Sequence, residues 1–231
     1  GTSIFDPVLA ECALSWYAPK PQKGATPTIV VDPFAGGSVR GVGASKLGFL
    51  YIGTDVSQRQ VDANRKQALE ICADCEWQPR WACCCGSQLG EVLAGVAGEL
   101  DLPEGTRADM LITCGPYHDL EQYHGGADDI SMCATYEIFL NRYADIMRKA
   151  TALLKSQHVA VTVVGNVRDS TGALHDLHGD TKQILHECGN VLYCDAVLQT
   201  SLASAPMRAR RQMQAASKLV TTHQNVIVTC R

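Results

Sequence analysis

Short apolar runs recur along the chain, most of them β-branched and each cut off by a turn signal. Residues 27–31 (PTIVV) stop at Asp32-Pro33 and give way to a glycine-rich stretch, AGGSVRGVGA, which predicts strand, turn and helix. Residues 49–53 (FLYIG) end at Thr54-Asp55, and helix-forming residues follow from 57 to 70 with Ser57 placed to cap them. A third strand over 81–85 precedes a short helix at 88–97, and a fourth over 109–114 is broken by Gly115-Pro116. In 135–154, Phe139, Leu140, Tyr143, Ile146, Met147, Ala150 and Leu153 fall on one helical face. Residues 158–164 are apolar almost throughout, the mark of a strand covered on both sides. A helix over 180–188 ends at Gly189, and strands over 191–198 and 225–230 close the series. Strands alternating with helices predict an α/β fold: a Rossmann-like, doubly wound, mostly parallel seven-stranded sheet with helices on both faces. No linker-like stretch divides the pattern, so residues 1–231 are expected to form one domain.

Composition agrees with a packed domain: 46% of the 231 residues are hydrophobic and 19% charged, close to ordinary globular usage. A net charge of −4 excludes a basic arm, yet it averages two unlike segments. Residues 201–222 hold Arg208, Arg210, Arg211 and Lys218 without one acidic residue, which suggests a phosphate-binding face. Residues 118–129 are acidic, with His118 and His124 among Asp119, Glu121, Asp128 and Asp129; this reads as a solvated lid rather than a metal site. Cys72-x-x-Cys75 and the run Cys83–Cys85 offer four thiolates, but adjacent strand residues alternate faces, and small buried hydrophobes account for them as well. No metal is therefore expected. Eleven cysteines, an odd number without a secretory leader in this sequence, point to reduced thiols and a cytoplasmic location in a bacterial or phage-infected cell. No apolar run approaches the roughly 18–20 residues that span a bilayer, so no membrane partner is expected.

Ligands of open α/β sheets bind beyond the carboxyl ends of the strands. There the small residues from Asp32 to Gly41 let backbone N–H groups approach a ligand, and Asp55 follows one βα unit later, where a carboxylate accepts from ribose hydroxyls. This pairing favours a nucleoside-containing cofactor without separating a dinucleotide from S-adenosylmethionine. The glycines at 36, 37 and 41 miss the G-x-G-x-x-G spacing, and no P-loop is present.

At these positions the chain resembles a family. Asp32-Pro33-Phe34-Ala35-Gly36-Gly37 is similar to motif I of the amino-group DNA methyltransferases. Thr113-Cys114-Gly115-Pro116-Tyr117 stands where that family has Asp/Asn/Ser-Pro-Pro followed by an aromatic, its motif IV. A phage- and plasmid-associated branch is nearer still, on Ser3 to Pro7, Asp32 to Gly41, Cys114 to Tyr117 with Asp119-Leu120-Glu121, Gly165 to Arg168, and Thr222 to Asn225. The likeness runs over almost the whole chain, in one of the family's known motif orders.

The resemblance implies the class I methyltransferase fold and S-adenosylmethionine as cofactor, lying over Gly36 and Gly37 of the loop built by Phe34, Ala35 and Ser38. It implies Asp32 near the cofactor's amino-acid end, Asp55 on its ribose, Ser87 near its adenine, and Phe5 in a segment that closes over the methionine. Arg40, beside this loop, reads equally as an ordinary surface residue of the helix. Catalysis is implied at Cys114, Gly115, Pro116 and Tyr117, the last stacking on a base flipped out of duplex DNA, with methyl transfer to N4 of cytosine or N6 of adenine. Two positions depart from the motif. Cys114 replaces an oxygen acceptor with a weakly accepting thiol, and Gly115 replaces a proline, which predicts a more flexible loop. The departures leave open a catalytically impaired DNA- or cofactor-binding module, and an RNA or small-molecule methyltransferase is a further alternative. Arg168, His223 and the cations at 208–218 are the candidate DNA contacts. With the sheet consuming most of the chain, target recognition is expected to fall to the 201–222 insert, a homodimer partner, or an upstream or separate recognition domain.

Overall fold

The computed structural model describes residues 4–22, 24–118, 123, 126–169, 172–199 and 205–231. Ser3, Asp119, Leu120, Glu121, His124 and the first positions of the insert, 201–204, lie outside the described residues.

The chain opens with α1 (Pro7–Tyr17), which the apolar pattern did not foretell although its start is written locally. Pro7 takes the first helical position, and the Asp6 side chain accepts from the N–H groups of Val8 and Leu9, satisfying two orphan donors. Then follow β1 (Ile29–Asp32), α2 (Val39–Lys46), β2 (Leu50–Asp55), α3 (Gln58–Ile71), β3 (Arg80–Cys83), α4 (Leu89–Glu99) and β4 (Ala108–Cys114). The second half is α5 (Tyr136–Ala152), β5 (Leu154–Val164), a small hairpin of β6 (Val167–Arg168) and β7 (Leu174–His175), α6 (Leu177–Glu187), β8 (Val191–Gln199), α7 (Ala205–Ala216) and β9 (His223–Cys230).

Seven strands form one sheet in the order β3-β2-β1-β4-β5-β9-β8. Every pairing is parallel except those of β9, which lies antiparallel between β5 and β8. Val30 and Val31, adjacent on β1, pack to opposite sides, as the two-residue period of a strand requires. Val30, Tyr51, Met110 and Ile112 meet α1, α2 and α3; Val31, Ile52 and Leu111 meet α4 and α5. Phe139, Tyr143, Ile146 and Met147 of α5 pack with Ile184 and Leu185 of α6. This is the doubly wound, two-faced α/β sheet read from the sequence.

The order reverses between β1 and β4. From β1 the chain runs outward through β2 to β3, then returns to lay β4 on the other side of β1. The loops after these two strands therefore diverge and leave a crevice at the carboxyl edge of the sheet. Among the described residues no helix is long and apolar enough to cross a membrane.

Candidate active site

Asp32 ends β1 fully buried and accepts four hydrogen bonds: from the Phe34 N–H (3.0 Å), Thr113 Oγ1 (2.7 Å), Tyr51 OH (2.8 Å) and Arg40 Nε (2.6 Å). With both oxygens so engaged, Asp32 braces the loop after β1. Arg40 is likewise no surface residue: it is 3% exposed, and its Nη2 donates to the carbonyls of Phe34 (2.7 Å) and Ala35 (3.0 Å). The nearby Asp32 carboxylate holds its pKa above the usual arginine value against the opposing effect of burial. The Phe5 ring lies over the guanidinium, 4.6 Å from its Cζ, so one buried cation joins the N-terminal segment to the turn after β1.

Close packing sets the rest of the loop. A Cβ on Gly41 would collide with Trp81 and Tyr51, so the absent side chain is what lets α2 sit tightly on the sheet. Gly36 takes a left-handed φ of +52°, its N–H donates to Asp55 Oδ2 (2.9 Å), and its carbonyl accepts from Asn64 Nδ2 (2.7 Å). The Ser38 hydroxyl is bonded to Gln67, whereas a Cβ on Gly37 would meet nothing within 4 Å. Backbone at Gly37 thus faces open space where a ligand can lie. Asn64 was legible as an anomaly, a polar residue spaced with Val61 and Ala68 on the buried stripe of α3.

Asp55 ends β2. Its Oδ1 accepts the Ser57 N–H at 2.8 Å, so each carboxylate oxygen holds one backbone donor and keeps a lone pair for another. Burial raises its pKa above the usual carboxylate value, against the lowering effect of those two N–H groups. Ser87 sits half-buried in a single 3₁₀ turn, Gly86–Gln88, beside β3. Gly86 is pressed against the Pro33 carbonyl and Ile146, which brings Ser87 next to the loop after β1.

Across the crevice, β4 delivers Cys114, Gly115, Pro116 and Tyr117, all half-buried. Thr113, through its bond to Asp32, ties this strand end to the loop after β1. Gly115 has aromatic neighbours. A Cβ there would lie 2.8 Å from Tyr143 Cε2 and 3.4 Å from Phe34 Cδ2, so aromatic rings occupy the volume a proline would need. Phe34 stacks on Tyr143 (centroids 5.7 Å apart, 12° between planes), and Tyr143 stacks on Phe139 (5.9 Å, 14°). Tyr117 places its hydroxyl 2.8 Å from Gln224 Nε2, and burial pushes its pKa above the usual phenol value. His118, read as part of a solvated lid, is 7% exposed: its Nε2 faces the Cys133 carbonyl (3.0 Å) and its ring packs on Tyr136 and Phe139. Asp129 is also buried and accepts from Ser131 and the Tyr123 N–H.

The cationic residues divide into two places. Arg168, exposed on β6, donates to the Gly172 carbonyl (2.9 Å), and the Lys218 ammonium lies against Gly172 as well, so both sit at the β6–β7 hairpin. Arg208, Arg210 and Arg211 stand exposed on α7, and His223 is exposed at the start of β9, next to Gln224. The eleven cysteines are free thiols; Cys83 is exposed and Cys85 buried. Among the described residues no three His, Cys, Asp or Glu side chains are grouped as metal ligands.

Sheet order, the antiparallel β9 and a crevice flanked by the ends of β1, β2 and β4 define the class I, Rossmann-like methyltransferase fold. Solved structures of that fold superpose on nearly the whole chain. The cyclopropane synthase MmaA2 from Mycobacterium tuberculosis matches with a TM-score of 0.58 and 13% identity, over 97% of this chain and 83% of its own. Magnesium protoporphyrin IX methyltransferase from Synechocystis PCC 6803, with bound S-adenosylhomocysteine, matches at 0.57 and 12% identity, over 100% and 90%. TrmN from Thermus thermophilus matches at 0.57 and 17% identity over 97% of this chain, which spans about half (48%) of that protein. At such identities the likeness is one of fold. No family model and no curated protein matches the sequence.

Proposed function

We propose that the chain is an S-adenosylmethionine-dependent DNA methyltransferase of the amino-group class, acting on N4 of cytosine or N6 of adenine. The observation that carries the reading is the joining of two loops at the switch point. One has the makings of a nucleoside cofactor site, the other presents Cys114 to Tyr117, and they touch through Asp32–Thr113 and Phe34–Gly115. The residues fit the cofactor: Asp55 keeps a lone pair on each oxygen for the ribose hydroxyls, and open space lies over Gly37. Synechocystis magnesium protoporphyrin IX methyltransferase, of the same fold, is known with S-adenosylmethionine bound. When bound, the cofactor supplies a methyl group on a sulfonium.

The chain's own residues then bind, orient and screen. Tyr117 offers an aromatic face to an extruded base, an interaction worth about 1–3 kcal/mol per base. The Gly115 carbonyl and Cys114 Sγ accept hydrogen bonds from the target amine and aim its lone pair at the methyl group; no covalent enzyme intermediate is required. Stacked aromatic rings pack against Gly115 where the family has a proline. Arg168, Lys218 and the arginines of α7 provide phosphate contacts.

Incubating the protein with S-adenosylmethionine and duplex DNA of mixed sequence, then digesting and identifying nucleosides by mass spectrometry, tests this. N4-methylcytosine or N6-methyladenine is expected. Methyl groups found only in RNA or free nucleosides run in parallel, or cofactor binding with no transfer to any acceptor, refutes the DNA assignment.

A further inference from the structure

We propose that Gln224 is a positioning residue that fixes the ring of Tyr117 in the orientation that receives the target base; this rests on the reading of the site as a base-methylating one. Tyr117 and Gln224 are 107 positions apart, and the sheet makes them neighbours. Tyr117 follows the end of β4. Gln224 stands at the start of β9, where Asn225 pairs with Val164 at the end of β5, the strand beside β4. The antiparallel course of β9 brings its first residues, rather than its last, to the carboxyl edge of the parallel strands.

The contact is built from both sides. Gln224 Nε2 donates to the Tyr117 hydroxyl oxygen at 2.8 Å. Gly165, immediately after β5, borders the hydroxyl on the other side: its backbone bonds to the hydroxyl, and a Cβ there would lie in ordinary contact with it at 3.6 Å. Burial raises the pKa of the hydroxyl above the usual phenol value. The hydrogen bond holds the far end of the ring, and its consequence is geometric. Two freely rotating side-chain bonds would let an unanchored tyrosine sweep the crevice, and an anchored one meets the base with that freedom already removed.

A side-chain hydrogen bond of ordinary net strength corresponds to a factor of about 3–10 in binding or rate. Gln224→Leu and Tyr117→Phe should therefore each lower kcat/KM for duplex DNA by about 3- to 10-fold. The dissociation constant for S-adenosylmethionine should stay within about 2-fold, and the double variant should be no worse than either single one, because both remove the same bond. In protein labelled with [13Cζ]tyrosine, Gln224→Leu should shift the one resonance that Tyr117→Phe abolishes and leave the others in place. An unmoved resonance overturns the tether, additive losses overturn the shared bond, and a shifted resonance with unchanged kcat/KM overturns the positioning role. Failure of the underlying reading looks different: the wild-type protein then transfers no methyl to DNA.

Discussion

Replacing Arg40 by Met is the sharpest test of how the cofactor loop is held. The guanidinium joins Asp32 to the carbonyls of Phe34 and Ala35 at 4% side-chain exposure, against a carboxylate with none. Methionine retains much of the apolar stem but strands a buried charge and takes the donor from two carbonyls. Breaking a buried ion pair from one side costs about 3–5 kcal/mol. Tyr51 and Thr113 continue to donate to Asp32, which holds the expected loss near the middle, about 4 kcal/mol. A chain of this size loses roughly 2–4 °C of Tm per kcal/mol, so Tm should fall by about 8–16 °C. Urea unfolding followed by far-UV circular dichroism measures the free energy, and a thermal scan gives Tm. Asp32→Asn in the Arg40→Met background removes the stranded charge and should recover part of the loss. A loss below about 1 kcal/mol for Arg40→Met alone would refute the argument, because the pair would then not depend on its mutual neutralisation.

Three further outcomes follow from the site. Gly115→Ala should destabilise the protein by about 1–3 kcal/mol in the same urea assay, since the new Cβ meets Tyr143 at 2.8 Å, and Gly115→Pro should lower methyl transfer rather than raise it. Asp55→Asn turns an amide N–H₂ toward either the Gly36 or the Ser57 N–H, and by isothermal calorimetry should weaken S-adenosylmethionine by about 100-fold. Because burial raises the Asp55 pKa and the ionised form is the acceptor, wild-type affinity should decline as pH drops through that raised value, beginning above the ordinary carboxylate range. The Asn variant should lack this decline. Changing Arg208, Arg210 and Arg211 together to Ala should reduce the slope of log Kd for duplex DNA against log salt by about 2–3, while a slope unchanged from wild type removes α7 from the DNA face.

The sheet strands were legible because burial on both faces writes itself as short apolar runs; β4 was read at 109–114 and observed at 108–114. Glycine and proline marked where those runs ended, and with them the loops after β1 and β4. What the runs could not convey was long-range partnership. Arg40 looks like a charge on a surface until its bonds to Asp32 and to the carbonyls of Phe34 and Ala35 bury it. His118 lies in a polar stretch by sequence, yet the aromatic face of α5 takes it in. Gly115 read alone signals looseness, and only Tyr143, far along the chain, reveals it as a fit. The β6–β7 hairpin has two-residue strands, too short for any periodicity to register.

The position of β9 has a bearing on how the molecule comes to be folded. Its partner β5 is synthesised long before it and, until β9 arrives, presents an open edge of apolar residues, Val159 to Val164, at the centre of the future sheet. A strand with unpaired backbone groups of that kind invites pairing with other chains. The parallel part, β1 to β5, is complete in the chain before β9, and its outer edge is closed only when β9 pairs antiparallel with β8 beside it. The last strand of the chain thus enters the interior of the sheet, between β5 and β8, and its pairing sets Gln224 beside Tyr117. A chain caught before that step would carry the loops after β1 and β4 while lacking the strand that borders Tyr117.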